Sequence, residues 1–169
     1  KKKLVISTAT VALQEQLISK ELPFFKTHSG LDFKFDLVKG RQRYICAHKL
    51  HNAINGDSQT QMEFMPTLNS PLSPMETKCL KQLYDAYTNK KWQGDRDSWA
   101  DTIPDRVWGL IACDKHACQR QMKAHQTCPF QLARQRLMQM DVLVINHSLL
   151  LADLDLGGGK ILPEPDNTI

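Results

Sequence analysis

Three cysteines lie within sixteen positions, and this cluster limits what the chain around it can be. Cys113 and Cys118 are separated by four residues and Cys118 and Cys128 by nine, with His116 and His125 between them. These gaps are wider than the C-x2-C pairs of common zinc sites. Thiolates nevertheless select zinc or iron–sulfur clusters, because both are soft centres. The stretch is therefore predicted to be part of a soft-metal site.

Cys46 is the natural fourth ligand, because it begins an irregular segment that the cysteine cluster ends. Closing a loop of that length costs chain entropy that grows slowly with length, and ligand bonds offset it. A [4Fe–4S] cluster needs four thiolates, one for each iron. The spacing leaves zinc open, because His116 and His125 would also complete a site. A metal-free interaction domain is the third alternative, and Cys79 is interpreted as a small buried residue.

The residues before this segment have the pattern of a parallel α/β sheet. The run KLVIST (3–8) is rich in β-branched residues and predicts a strand covered on both faces. An amphipathic helix should follow, with Thr10 as its N-cap and its end near Pro23. The run DFKFDLVKG (32–40) alternates apolar and charged residues, which predicts a half-buried strand.

The character of the sequence changes at Arg41, after which the chain is polar, turn-rich and broken by prolines. A helix is predicted over 75–90, with an apolar face made of Met75, Cys79, Leu83 and Ala86. A second helix is predicted over 129–140, with Pro129 in its first turn. Residues 142–145 then predict a buried strand that leads into Asn146, His147 and a short helix. The predicted fold class is α/β with a mainly helical, irregular insert.

Composition excludes several classes of protein. The chain is 41% hydrophobic and 24% charged, as in globular proteins, and its net charge of +4 permits nucleic-acid binding without indicating it. No apolar run approaches the ~20 residues of a membrane span, and no export signal is recognisable. Five cysteines without an export signal favour the reducing cytoplasm over a disulfide scaffold. The abrupt strand pattern at the start and the extended stretch LPEPDNTI at the end predict a piece of a larger protein.

Five blocks of the chain resemble, in order, the DinG family of bacterial DNA helicases, which belong to superfamily 2 and are related to XPD. The blocks are VISTATVALQEQLISKELP, VKGRQRYIC, the cysteine cluster, CPFQLARQRLMQMDVLVINHSLLLADL and LPEPDNTI. They cover nearly the whole chain. The resemblance implies that residues 1–40 and 141–169 are parts of RecA-like helicase domain 1, and that an iron–sulfur cluster domain is inserted over 41–140.

The resemblance also implies the ligands of the cofactor. Cys46, Cys113, Cys118 and Cys128 match the four cysteines that hold a [4Fe–4S] cluster in the family. The gap between Cys118 and Cys128 is longer than the family's pattern. The cluster would be mainly structural, locking the insert into a rigid wedge and guide for single-stranded DNA.

Two groups of residues are predicted to contact DNA. Ser7, Thr8 and Thr10 match the family's motif Ia, and small hydroxyls at a strand end suit phosphate oxygens. Basic residues flank the cysteines on both sides and are predicted to contact the backbone of single-stranded DNA; they include Arg41, Arg43 and Arg134. Tyr44, Trp92, Trp99 and Trp108 are candidates for base stacking, although core packing is the alternative for each of the three tryptophans.

The implied activity is ATP-dependent 5′-to-3′ unwinding of single-stranded and forked DNA in repair and replication. The protein would work as a monomer with the rest of the helicase motor, in the bacterial cytoplasm at the nucleoid and not at a membrane. ATP and Mg²⁺ are expected only in the full-length protein, since this chain has neither a G-x-x-x-x-G-K-[ST] loop nor a DEAH box. The run GGGK (157–160) lacks the phosphate-loop spacing and predicts a flexible turn. Alone, the chain should not hydrolyse ATP.

Overall fold

In the computed structural model the chain forms two compact units, which we call the sheet unit (Lys1–Gly40 with Ala133–Ile169) and the insert unit (Arg41–Leu132). The structure describes residues 2–55, 71–114, 128–164 and 168–169. The sequence placed domain boundaries after residues 40 and 140, whereas the compact units divide after Gly40 and Leu132. The difference arises because Leu137 packs with Leu143 and Ile145 of the sheet unit. The domain assignment itself stays a prediction.

Three parallel strands form the sheet, which confirms the α/β class predicted from the sequence. Strands β1 (Leu4–Thr8), β2 (Phe35–Leu37) and β3 (Val142–Asn146) have the order β1-β3-β2. The first four residues of β3 are buried, as expected for a central strand covered on both faces. β1 is less covered than predicted, since only Thr8 of its five residues is buried. β2 is shorter than the predicted 32–40, and just before it Lys34 donates its N–H to the Asp141 carboxylate.

The register of the sheet brings polar strand ends together. Thr8 of β1 lies opposite Asn146 of β3, and both strands end there. The far edge of β1 is also paired, because Ile169 donates its N–H to Lys3 O (2.9 Å) and accepts from Val5 N (3.0 Å). The carboxyl ends of β1 and β3 are therefore side by side, which is the edge where open parallel sheets bind ligands.

The first helix does not end near Pro23, and that expectation was wrong. Helix α1 (Val11–Gln16) begins with Thr10 as its N-cap and continues through a π-helical turn (Leu17–Glu21) into α2 (Leu22–Ser29). Pro23 lies in the first turn of α2, immediately after the π-helical turn. The wider π-helical turn lets the helix continue at a residue that has no N–H to donate. The helix ends instead at Gly30, whose φ is +70°.

The insert unit is built from short helices around an apolar core. Its helices are α3 (Ala47–Asn55), α4 (Pro74–Thr88) and α5 (Asp105–Ile111), and α6 (Pro129–Leu137) begins in it. The core side chains are Ile45, Leu50, Leu80, Leu83, Trp92, Ile103, Val107, Trp108 and Ile111. None of the helices among the described residues is long and apolar enough to cross a membrane.

Helix α4 was predicted correctly in extent but not in its apolar face. Ser73 caps the helix through the Glu76 N–H, Glu76 bonds back to Ser73 N, and Pro74 follows the cap. Met75 is 79% exposed, so its assignment to the buried face was wrong, whereas Leu80 and Leu83 are buried. The cap fixes the start of the helix at Pro74, and Met75 then falls in the solvent-facing first turn.

The loop after helix α7 (His147–Asp155) is organised by one buried carboxylate. Asp153 accepts hydrogen bonds from the backbone N–H groups of Gly159 (3.1 Å), Lys160 (2.8 Å) and Ile161 (2.6 Å). Its side chain is almost fully buried. The GGGK run therefore forms a turn, as predicted, and the N–H groups that a phosphate would need are directed at Asp153.

We expect Asp153→Asn to lower the free energy of unfolding by about 1–3 kcal/mol, because an amide NH₂ replaces one acceptor facing these N–H donors. The change should appear as a lower urea midpoint. Asp155→Asn is the matched control, since Asp155 is exposed on the same helix and should shift the midpoint little. Equal midpoints for the two variants would contradict the role given to Asp153.

Candidate metal centre

Two of the predicted ligands are held beside each other by paired backbone. Cys113 donates its N–H to Tyr44 O (2.8 Å), and Cys46 donates its N–H to Ile111 O (2.7 Å). Between these bonds Ile45 and Ala112 form an antiparallel bridge. We call this pairing of Tyr44–Cys46 with Ile111–Cys113 the cysteine ladder. It places Cys46 opposite Ile111 and Cys113 opposite Tyr44, so the two cysteines are diagonal neighbours on one face of the pairing although they are far apart in sequence.

Cys128 joins them in one buried cluster. Cys46, Cys113 and Cys128 are each at most 4% exposed, and Phe130 packs against them. Cys113 Sγ lies 3.8 Å from Cys128 Sγ and 3.1 Å from Ile45 O. Three of the four predicted ligands are thus brought together in the insert unit. Their role as ligands stays a prediction.

The fourth predicted ligand, Cys118, lies outside the described residues, as do His116 and His125. Within the described part of the chain, no three Cys, His, Asp or Glu side chains are arranged to hold one metal ion. A [4Fe–4S] cluster assigns one iron to each thiolate, so its ligands need not converge on a single ion. The donor set, three buried thiols in one cluster, fits such a group chemically.

Hydrogen bonding favours the thiolate form of Cys128. Its bond with the Cys113 thiol, helped by the backbone N–H groups of Gln131 and Phe130, lowers the pKa of Cys128 to about 6, although burial and the nearby Cys46 oppose this. Helix α6 begins at the next residue, and the N–H groups of its first turn have no acceptor within the helix, which suits them to bond the sulfur. Metal binding requires thiolates, and this environment supplies one readily.

Tyr87 lies near the same cluster and was not singled out from the sequence. Burial raises the pKa of its phenol, and the thiolates of Cys128, Cys113 and Cys46 add to the rise. Tyr87 also packs against the insert core from the end of α4. Its spacing from Leu80 and Leu83 on the helix was the available signal, because these residues share one face.

Cys79 is separate from the cluster. It is half-buried on α4 and packs against the insert core. Burial raises the pKa of its thiol. This position agrees with its interpretation as a small packing residue.

The predicted stacking residues are mostly core. Tyr44, Trp92 and Trp108 are each 5% exposed. Trp108 donates its indole N–H to Gln42 O (2.8 Å), and Trp92 donates to Asp95 O (2.9 Å). Trp99 is half-buried and packs edge-to-face on Trp92. The core interpretation therefore holds for Trp92 and Trp108, and Tyr44 likewise presents little ring surface to a nucleic-acid base.

The predicted basic residues of the insert unit are engaged within the chain. Arg41 donates to Asp114 O (3.2 Å), and its guanidinium lies 5.0 Å from the centroid of the Phe130 ring. Arg43 pairs with Asp97, and its side chain is 45% exposed. For both arginines a contact with DNA stays a prediction. The side chain of Arg43 is the more exposed of the two.

The predicted DNA-contacting hydroxyls lie at the carboxyl edge of the sheet. Ser7 Oγ is 2.7 Å from His147 Nδ1, and Thr8 Oγ1 donates to Thr10 O. Thr10 Oγ1 accepts from Leu13 N (3.3 Å), so it caps α1 as its alternative role required. Asn146 caps α7 in the same way, through Leu149 N (2.7 Å).

Arg134 lies in the sheet unit and bonds to the backbone of the GGGK loop. Its guanidinium donates to Lys160 O. The end of its helix is also held, because Lys3 Nζ donates to the carbonyl oxygens of Met138 (2.6 Å) and Met140 (2.8 Å). A contact between Arg134 and DNA stays a prediction.

Comparison with known proteins points to one family. No family model matches the chain. Over 99% of its length it is 51% identical to the ATP-dependent DNA helicase DinG of Photobacterium profundum. It is also 36% identical to the DinG of Escherichia coli and 34% identical to that of Salmonella typhimurium, over 99% of its length in each case. The chain covers 24% of each of these three relatives.

These relatives are DNA helicases, so the chain is homologous to a segment of a helicase. The helicase family to which it belongs is DinG. The chain spans about a quarter of the length of the curated relatives it matches.

Gly94 packs closely behind the cluster and gives a test of this geometry. Its φ is +81°, and a Cβ would lie 2.7 Å from Ile45 Cγ1 and 2.8 Å from Pro129 Cγ. We expect Gly94→Ala to cost about 1–3 kcal/mol in unfolding free energy, measured by urea denaturation, because it overpacks residues adjacent to Cys46 and Cys128. The control is Gly109→Ala in α5, where the added methyl meets nothing within 4 Å. There a stability gain of up to ~1 kcal/mol is expected, and a matching gain for Gly94→Ala would contradict the packing.

Proposed function

We propose that the chain is the iron–sulfur region of an ATP-dependent DNA helicase, with a [4Fe–4S] cluster held by Cys46, Cys113, Cys118 and Cys128. The observation that carries the proposal is the burial of Cys46, Cys113 and Cys128 in one cluster. Membership of the DinG family supports it, because the curated relatives are named ATP-dependent DNA helicases. Residues 41–140 would form the cluster domain.

The chain's own residues would prepare the site in three ways. The cysteine ladder holds Cys46 and Cys113 together through the backbone. The N–H groups at the start of α6 stabilise the Cys128 thiolate. Phe130 covers the sulfurs and limits the access of water to them. When bound, a [4Fe–4S] cluster supplies iron–thiolate bonds that cross-link segments distant in sequence.

A cross-linked insert would act as a rigid wedge and guide for single-stranded DNA at a fork. The described segment between α4 and α5 favours this role, since it is irregular apart from one 3-10 turn and bonds at one centre would stiffen it. Residues 1–40 and 141–169 would be parts of RecA-like helicase domain 1. The parallel sheet and its polar carboxyl edge support that assignment.

The full-length protein would hydrolyse ATP with Mg²⁺ and move 5′ to 3′ along single-stranded DNA, in repair and replication. The sequence of this chain contains no phosphate loop, so alone it should not hydrolyse ATP. It would work as a monomer with the remaining motor, in the bacterial cytoplasm at the nucleoid.

The cofactor is tested by metal analysis of the chain purified without oxygen. We expect about four iron and four sulfide per chain and a brown colour, because each thiolate binds one iron. Cys46→Ser, Cys113→Ser, Cys118→Ser and Cys128→Ser should each lose most of the iron. Cys79→Ser is the matched control and should keep it, since Cys79 packs in the insert core.

Two results would overturn the cluster. One zinc per chain without sulfide would identify a zinc-stabilised module instead. A chain without metal, whose folding is unchanged by the four serine substitutions, would identify a metal-free interaction domain.

DNA binding is tested through its salt dependence. We expect Arg43→Ala to weaken single-stranded DNA binding and to reduce the slope of log K against log[salt] by about 0.7, the value for one phosphate contact on a single strand. Fluorescence anisotropy with a labelled oligonucleotide measures both quantities. Lys78→Ala, at an exposed lysine of α4, is the control. An unchanged slope for Arg43→Ala would remove Arg43 from the DNA path.

A further inference from the structure

A second link joins the segments that carry Cys46 and Cys113, and it is made by side chains. Lys49 forms an ion pair with Asp114. The Lys49 side chain is only 11% exposed and that of Asp114 is 35% exposed. Burying a lysine ammonium group costs free energy unless the group is paired, so the ion pair with Asp114 is needed for Lys49 to be buried.

The positions of the two residues relate the ion pair to the cluster. Lys49 is in the first turn of α3, three residues after Cys46, and Asp114 directly follows Cys113. The pair therefore adds a side-chain link between the two segments that the cysteine ladder joins through the backbone. It holds the point where the chain leaves Cys113 towards Cys118.

A second cation reaches the same residue. Arg41 donates to the Asp114 carbonyl (3.2 Å), and its guanidinium lies over Phe130, the ring that packs on the three thiols. Two cationic groups and one carboxylate are thus carried by residues that adjoin the cysteine cluster in sequence or through Phe130. Each thiolate brings a negative charge into this apolar place, and reduction of a cluster adds another.

We infer that Lys49 and Asp114 are a positioning pair for the metal centre. The pair fixes the segment that carries Cys113, and its two charges tune the reduction potential of the cluster. The inference rests on the proposed function, since it needs a cluster on these cysteines. Electrostatics gives the two members opposite effects: Lys49 favours the more negative, reduced state, and Asp114 disfavours it.

The test compares reduction potentials of the chain purified without oxygen. Lys49→Met and Asp114→Asn break the same ion pair but remove charges of opposite sign. We expect the midpoint potential, measured by redox titration of the visible absorbance, to fall in Lys49→Met and to rise in Asp114→Asn. Lys49→Arg, which keeps the charge, should stay close to the unmodified chain, as should Lys81→Met at an exposed lysine of α4.

The outcomes separate the inference from the proposal beneath it. An unmodified chain that contains no iron and sulfide overturns the cluster, and the pair's role with it. A loaded chain in which both variants shift in the same direction, or neither shifts, overturns the inference alone, because a purely structural pair gives no opposite signs. If Lys49→Met fails to take up iron, the charge-reversed variant Lys49→Asp/Asp114→Lys decides. Recovered iron content supports positioning, and no recovery overturns it.

Discussion

The cysteine ladder is the constraint on which the insert unit depends. Two backbone hydrogen bonds and one bridge hold Tyr44–Cys46 against Ile111–Cys113, and Cys113 Sγ contacts Ile45 O across a separation of 68 residues. The entropy of closing that loop is met by the protein's own backbone and by the apolar core beside it. The same pairing would bring Cys46 and Cys113 to one metal centre.

The sequence predicted elements that depend on local signals. The central strand, the start of α4 and the cap at Thr10 each follow from a short pattern of residue types, and the structure has all three. The end of the first helix was missed, because its continuation past Pro23 depends on a π-helical turn that no local pattern announces. Met75 was misassigned because periodicity shows which residues share a face, while tertiary packing decides which face is buried.

Of the four candidate ligands, the three among the described residues lie together, whereas the residues around them could not be predicted from the sequence. Cysteine spacing singled out Cys46, Cys113 and Cys128, which lie together. Lys49 and Asp114 are 65 positions apart, and nothing in their own neighbourhoods marks them as partners. Position 94 requires glycine because a Cβ there would clash with Ile45 and Pro129, which only the folded chain places beside it. Such contacts exist only once distant segments have been packed together.

The buried Asp153 carboxylate has a consequence for interpreting glycine-rich runs. Gly159, Lys160 and Ile161 direct their amides inward at an anion that the protein itself provides. The loop resembles an anion cradle that is permanently filled, with its own aspartate in the place of a nucleotide. For this loop to bind a nucleotide phosphate, the Asp153 side chain would first have to leave the backbone N–H groups. Three glycines and a lysine therefore form a turn that is stabilised by the protein's own carboxylate. The direction of the backbone N–H groups, more than the residue types, distinguishes this turn from a phosphate-binding loop.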